Sequence, residues 1–148
     1  MAENTSYETV FAEFKDKITD PDLLLFADGI QTEMLIAYMN KAISKCSRVV
    51  KKVVDLSLRD DNIAEFNVKI PDEVIDIITE WMTVFWLQPY VNNLENLRNN
   101  LSTKDFTVFS PANLLEKIGS RYDTARKYAR SLTNEYSFII ADMKELKP

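Results

Sequence analysis

Between Pro71 and Leu101 lies the stretch that most limits what this chain can fold into. Pro71, Asp72 and Glu73 form a helix start, because proline is tolerated in the first turn and carboxylates favour the positive end of the helix. Val74, Ile75, Ile77, Ile78, Trp81, Met82, Val84, Phe85, Trp86 and Leu87 follow, apolar nearly all the way round. A helix with no polar face has to be covered on every side. The run from Trp81 to Leu87 falls far short of the roughly 20 apolar residues that span a bilayer, so the cover is expected to be protein. Pro89 removes a backbone donor and crowds the preceding turn, which predicts a break or kink. Beyond it Val91, Leu94, Leu97 and Leu101 recur at three- and four-residue spacing, so the second half reads as amphipathic.

A chain of 148 residues, 46% hydrophobic and 28% charged, can bury a helix of this kind within one globular domain. Its chemistry is restricted. Histidine is absent, Cys46 is the single cysteine, and Gly29 and Gly119 are the only glycines. These counts exclude an intramolecular disulfide and an imidazole or thiolate metal cage, and argue against many tight turns or a phosphate-cradling loop. No positively charged start followed by an apolar run opens the sequence, so synthesis and use in a reducing cytoplasm are expected. Net charge is −5 and unevenly spread. Residues 1–80 carry 16 acidic and 9 basic side chains, whereas residues 81–148 carry 7 acidic and 9 basic. The acidic half argues against general nucleic-acid binding; the asymmetry reads first as a chance distribution, with self-association of unlike surfaces as the alternative.

The remaining elements read as follows. Thr5 or Ser6 caps a helix to about Ile18, with Val10, Phe11, Phe14 and Ile18 on one stripe. A short helix over Asp22–Ala27 closes at Asp28-Gly29. A third runs from about Gln31 to Val49, its buried face formed by Met34, Leu35, Tyr38, Ala42, Ile43 and Cys46. Over residues 52–70 the period changes to two, on both sides of Arg59-Asp60-Asp61-Asn62. This predicts a β-hairpin, with an irregular extended arm as the competing reading; an isolated hairpin would have to lean on the helices or on a partner. Ser102–Phe109 is a connector. Ser110-Pro111 then starts a helix to about Tyr136, in which Leu115, Ile118, Tyr122, Ala125, Ala129, Leu132 and Tyr136 form a heptad seam. Lys117 and Arg121 flank it on one side, Arg126 and Arg130 on the other. Residues 137–148 read as a C-terminal tail, so the expected architecture is mostly α: a single helical bundle over residues 1–136, around a long central helix, with a small hairpin or arm and a tail.

Catalytic constellations are hard to assemble from these residues. Without histidine the Ser-His and Cys-His nucleophile pairs are unavailable. Cys46 falls on an apolar stripe and reads as an inert buried thiol. Asp60 and Asp61 lack the ligand spacing of a calcium loop and read as a solvated turn. Asp76 and Glu80 on the central helix are the candidates for paired carboxylates. Trp81, Phe85 and Trp86 read as core rather than a stacking platform. The basic side chains of the last helix point to two sides of the seam, so they read as a solvated or salt-bridged face. No enzymatic activity, metal or cofactor is expected, and what remains is a scaffold with surfaces to share.

The order of segments FAEFKDKITDPDLL, LIAYMNKAISKC, DLSLRDDNIAEFNVKIPDEVIDIITEWMTVFWLQP and NNLSTKDFTVFSPANLLEKI resembles the small head–tail connector (neck or adaptor) proteins of tailed bacteriophages, especially those of Gram-positive hosts. The resemblance covers most of the chain and rests on ordered segments rather than on a catalytic signature. It implies a structural virion protein, assembled in the host cytoplasm, whose subunits form a ring, typically of twelve copies, beneath the portal. Such a ring joins capsid to head-closure or tail proteins and lets DNA pass without specific binding. It involves no membrane. The resemblance also implies portal docking through an extended or C-terminal segment, here Phe138, Ile139, Ile140, Met143 and Leu146. Arg121, Arg126 and Arg130 are the candidate subunit-interface cations, since a ring of identical subunits joins one surface to a different one. An acidic channel lining would keep DNA from adhering. The alternative function is a small helical regulator of phage origin that binds one protein partner through Leu115, Ile118 and Tyr122 of the seam.

Overall fold

The structure, a computed structural model, describes residues 3–19, 30–100 and 111–145, with side chains described over 3–19, 30–92 and 116–141. Four helices and a two-stranded antiparallel hairpin make up the described part. Helix α1 spans Tyr7–Lys17, α2 Thr32–Val50, α3 Asp72–Asn100 and α4 Pro111–Glu145. Strands β1, Arg59–Asp60, and β2, Glu65–Phe66, lie between α2 and α3. The mostly α bundle around a long central helix is therefore the observed fold. The expected helix over Asp22–Ala27, the connector Ser102–Phe109 and Leu146 lie outside the described residues.

Helix α3 is the axis, and α1, α2 and α4 each pack against it. Every residue from Ile77 to Val84 is buried, as its all-round apolar pattern demands. Thr79 and Thr83 belong to this run without breaking it. Their hydroxyls donate to the carbonyls of Ile75 (2.8 Å) and Thr79 (3.1 Å) respectively, so neither is left bare in the core. Pro89 does not end the helix, which continues to Asn100. An internal proline costs about 3 kcal/mol in a helix; here it sits on the exposed side, where solvent can serve the carbonyl left without a donor.

Ser6 caps α1, its hydroxyl accepting from the Thr9 amide at 3.2 Å. Val10, Phe11, Phe14 and Ile18 are buried as their spacing predicts, joined by Tyr7. On α2 the buried stripe is Leu35, Met39, Ala42, Ile43, Cys46 and Val50, with Tyr38 half-buried. Met34, expected inside, is 42% exposed. One position is 100° of helix rotation, enough to take it off a stripe that Met39 continues.

The hairpin is shorter than the alternation over 52–70 implies. Arg59 pairs with Phe66 and Asp60 with Glu65, and only those two pairs form. Such a fragment does not stand alone in water. It is held by the chain entering α1: the Phe66 amide donates to the Thr5 carbonyl (2.8 Å), the Thr5 amide to the Val68 carbonyl (3.1 Å), and the Tyr7 amide to the Ala64 carbonyl (2.9 Å). The Tyr7 ring lies edge-on to Phe66, with centroids 5.1 Å apart. At the tip Ala64 has φ +51°, a left-handed conformation that disfavours any residue with a Cβ.

Helix α4 corrects the expected C-terminal boundary. It runs to Glu145 instead of stopping near Tyr136, so the described part of the supposed tail is helix. No glycine or proline lies between Ser120 and Lys147, and Ile140 repeats Tyr136 one turn later, inside the core. The seam is inside too: Ile118, Ala125, Ala129 and Tyr136 are buried, and Tyr122 and Leu132 half-buried, along the contact with α3.

Candidate interaction site

Three groups of side chains could carry chemistry or recognition. The first is an ion cluster joining three helices. Lys17 at the end of α1 donates to Asp76 and, at 3.1 Å, to Glu80 on α3, and Arg121 of α4 reaches Glu80 at 3.6 Å. The Glu80 side chain is only 4% exposed. Burial is the largest single influence on the Lys17 ammonium and works against its charge. Hydrogen bonds and charge attraction from Asp76 and Glu80 together outweigh burial and raise its pKa above the ordinary value. The pair of carboxylates considered for acid–base work is thus engaged by cations. Arg121, expected at a subunit interface, points instead into this internal cluster.

Cys46 is fully buried, and burial pushes its thiol up to about 12, so at neutral pH it is not a thiolate nucleophile. Asp60 accepts from the Asn62 amide at 2.8 Å and Asp61 from the Tyr7 hydroxyl at 2.5 Å, which commits both to the turn. Among the described residues no three histidine, cysteine or acidic side chains come close enough together to hold a metal ion. No described helix is long and apolar enough to cross a membrane.

The second group is an open cleft of about 330 Å³ built from α2, α3 and α4. Lys45, Arg126 and Arg130 line it with Trp81, Phe85 and Tyr122, and among the described residues no carboxylate does. Lys45 Nζ lies 5.9 Å from the Trp81 ring centroid, a cation–π contact. Among the described residues none of the three cations forms an ion pair. On α4 itself Tyr122 lies one turn before Arg126; the fold adds Trp81 and Phe85 from α3. Trp81 is therefore both core and lining. Its indole donates inward to Thr133 at 3.0 Å while its ring borders the cleft. Trp86, by contrast, is wholly core, packed edge-on to Phe14 at 6.0 Å.

The third group is exposed apolar surface. Phe138 is 71% and Ile139 52% exposed on the outside of α4, whereas Ile140 is buried and so is not available for docking. Met143 lies on the same helix with its side chain outside the described residues. At the hairpin tip Ile63 is 63% exposed, next to Asp60, Asp61 and Glu65. That tip was missed by periodicity, which assigns Ile63 no role. An isolated isoleucine in an acidic turn is the signal that could have marked it.

No family model, curated protein or solved structure matches this chain.

Proposed function

We propose that this chain is a structural assembly subunit, a head–tail connector that forms a ring between portal and tail around the path of the DNA. The reading begins from the order of segments that resembles such proteins. The observation that carries it is Phe138 and Ile139 standing out from a helix whose next residue, Ile140, is anchored in the core. Two adjacent large apolar side chains on a rigid helix offer a preformed contact surface, with little ordering entropy to be lost on docking. On this reading the contact is made by a helix rather than by an extended tail, and the portal or a head-closure or tail protein covers it. The alternative regulator would have to present Ile118 and the seam to a groove, and those residues already lie against α3.

Mass measurement and electron microscopy of the purified protein, alone and mixed with portal protein, test the proposal. A ring or a defined complex with portal is the expected result. A monomer indifferent to both portal and tail proteins overturns it.

A further inference from the structure

The cleft and the hairpin tip carry opposite charge. Among the described residues the cleft offers three cations and no carboxylate, beside the aromatic side chains of Trp81, Phe85 and Tyr122. The tip offers Asp60, Asp61 and Glu65 around a single protruding isoleucine, Ile63. Arg59, the one cation between Ser57 and Phe66, turns back to donate to the Leu56 carbonyl at 3.2 Å. We infer that the tip of one copy of this chain seats in the cleft of a neighbouring copy, Ile63 against Trp81, Phe85 and Tyr122, with the acidic rim facing Lys45, Arg126 and Arg130. The inference deepens the proposed function and rests on its premise that the chain assembles with its own copies.

Three observations favour a second copy over other occupants. The tip is preorganised: the entry to α1 holds it through the amide of Tyr7 and through the Tyr7 hydroxyl on Asp61. A rigid knob loses little entropy on docking. A cleft of 330 Å³ is at the lower end for a binding pocket, roughly 300 Å³ upward, and suits a side chain with its flanking turn rather than a helix. The two patches share no residue, so the contact is head-to-tail, the type that closes into a ring when the rotation allows.

Cysteine placed at the two patches tests this. Ile63→Cys and Arg130→Cys chains, one tagged to differ in mass, are mixed and mildly oxidised, with Ile63→Cys plus Lys127→Cys as the control pair. Docking should enrich the mixed disulfide at least about tenfold over the control pair, because bound partners meet at an effective concentration far above that in solution. A second measurement does not need a cysteine. The double reversal Arg126→Glu/Arg130→Glu should abolish self-association, and mixing with Asp60→Lys/Glu65→Lys chains should restore it. If rings or portal complexes form but neither disulfide enrichment nor charge rescue appears, the tip-to-cleft contact is wrong and the connector reading stands. If the chain neither cross-links nor binds portal and tail proteins, both fall. Retention of a single-stranded oligonucleotide that is lost in Arg126→Ala/Arg130→Ala, without disulfide enrichment, would replace the inferred occupant with nucleic acid.

Discussion

The Trp81 indole donates to the Thr133 hydroxyl across 3.0 Å of buried interior, and that hydroxyl donates in turn to the Ala129 carbonyl at 2.7 Å. This relay joins the central helix to α4 at the place where α4 carries its alanines. It also fixes the Trp81 ring at the edge of the cationic cleft.

Thr133→Val keeps the shape of the side chain and removes the acceptor, leaving a buried N–H unpaired. Urea unfolding should show a loss of about 1–3 kcal/mol. Thr133→Ser keeps the bond and should lose less, which separates the hydrogen bond from the packing of the methyl group.

Lys17→Met should cost about 3–5 kcal/mol, because it strips the nearer cation from a carboxylate that is 4% exposed. The pair Lys17→Met/Glu80→Leu should cost clearly less than the sum of the single changes. Additive losses in a double-mutant cycle would show that the two groups are not coupled.

Stability should decline on the alkaline side. The Cys46 thiol is raised from 9.0 to about 12 by burial, and the Tyr7 hydroxyl from 10.0 to about 12, chiefly by burial and then by its bond to Asp61. Both groups hold their protons more tightly in the folded chain, so the unfolded chain binds fewer protons between the two values and the stability falls as pH rises. Lys17, raised above 10.5, acts in the same sense: its contribution is complete below the unfolded value and disappears as pH passes the folded one. The fall should begin near pH 9 with Cys46. Cys46→Ala should flatten its first part in denaturant titrations at stepped pH.

Neighbouring residues on α4 should behave in opposite ways. Ile140→Ala should cost about 2–4 kcal/mol as a buried truncation. Phe138→Ser/Ile139→Ser should stay within about 1 kcal/mol in stability, being exposed, and on the proposed connector reading should weaken binding to portal protein in a pull-down. Equal destabilisation by both changes would mean that the helix end is packed differently.

Several features were legible in the residues because they depend on neighbours in sequence. The Ser6 cap, the stripe on α1, the seam on α4 and the engulfed stretch from Ile77 to Val84 all follow from local spacing, and the structure has them. The length of α4 was not legible. Residues 138–140 are three apolar residues in a row, which carries no helical period, and only the packing of Ile140 shows that the helix goes on. The hairpin was read too long and its turn two residues early: Arg59 and Asp60 form β1 and the turn spans residues 61–64, since alternation marks faces but not how many backbone pairs close.

The partners of the charges belong to the same second class. Arg121, Arg126 and Arg130 look alike in sequence, yet the first meets Glu80 while the other two border Trp81 and Phe85, with no carboxylate beside them among the described residues. The sequence by itself determined all-round burial for the central helix between Ile77 and Val84, the stripes that pack on it, and a chain lacking histidine and paired cysteines. Tertiary structure alone decided which cations are neutralised, what braces the tip at Ile63, and that a cleft exists. Helical period is set within one element by a rotation of 100° per residue. Convergence of side chains from α2, α3 and α4 depends on how those helices cross, which no local spacing encodes.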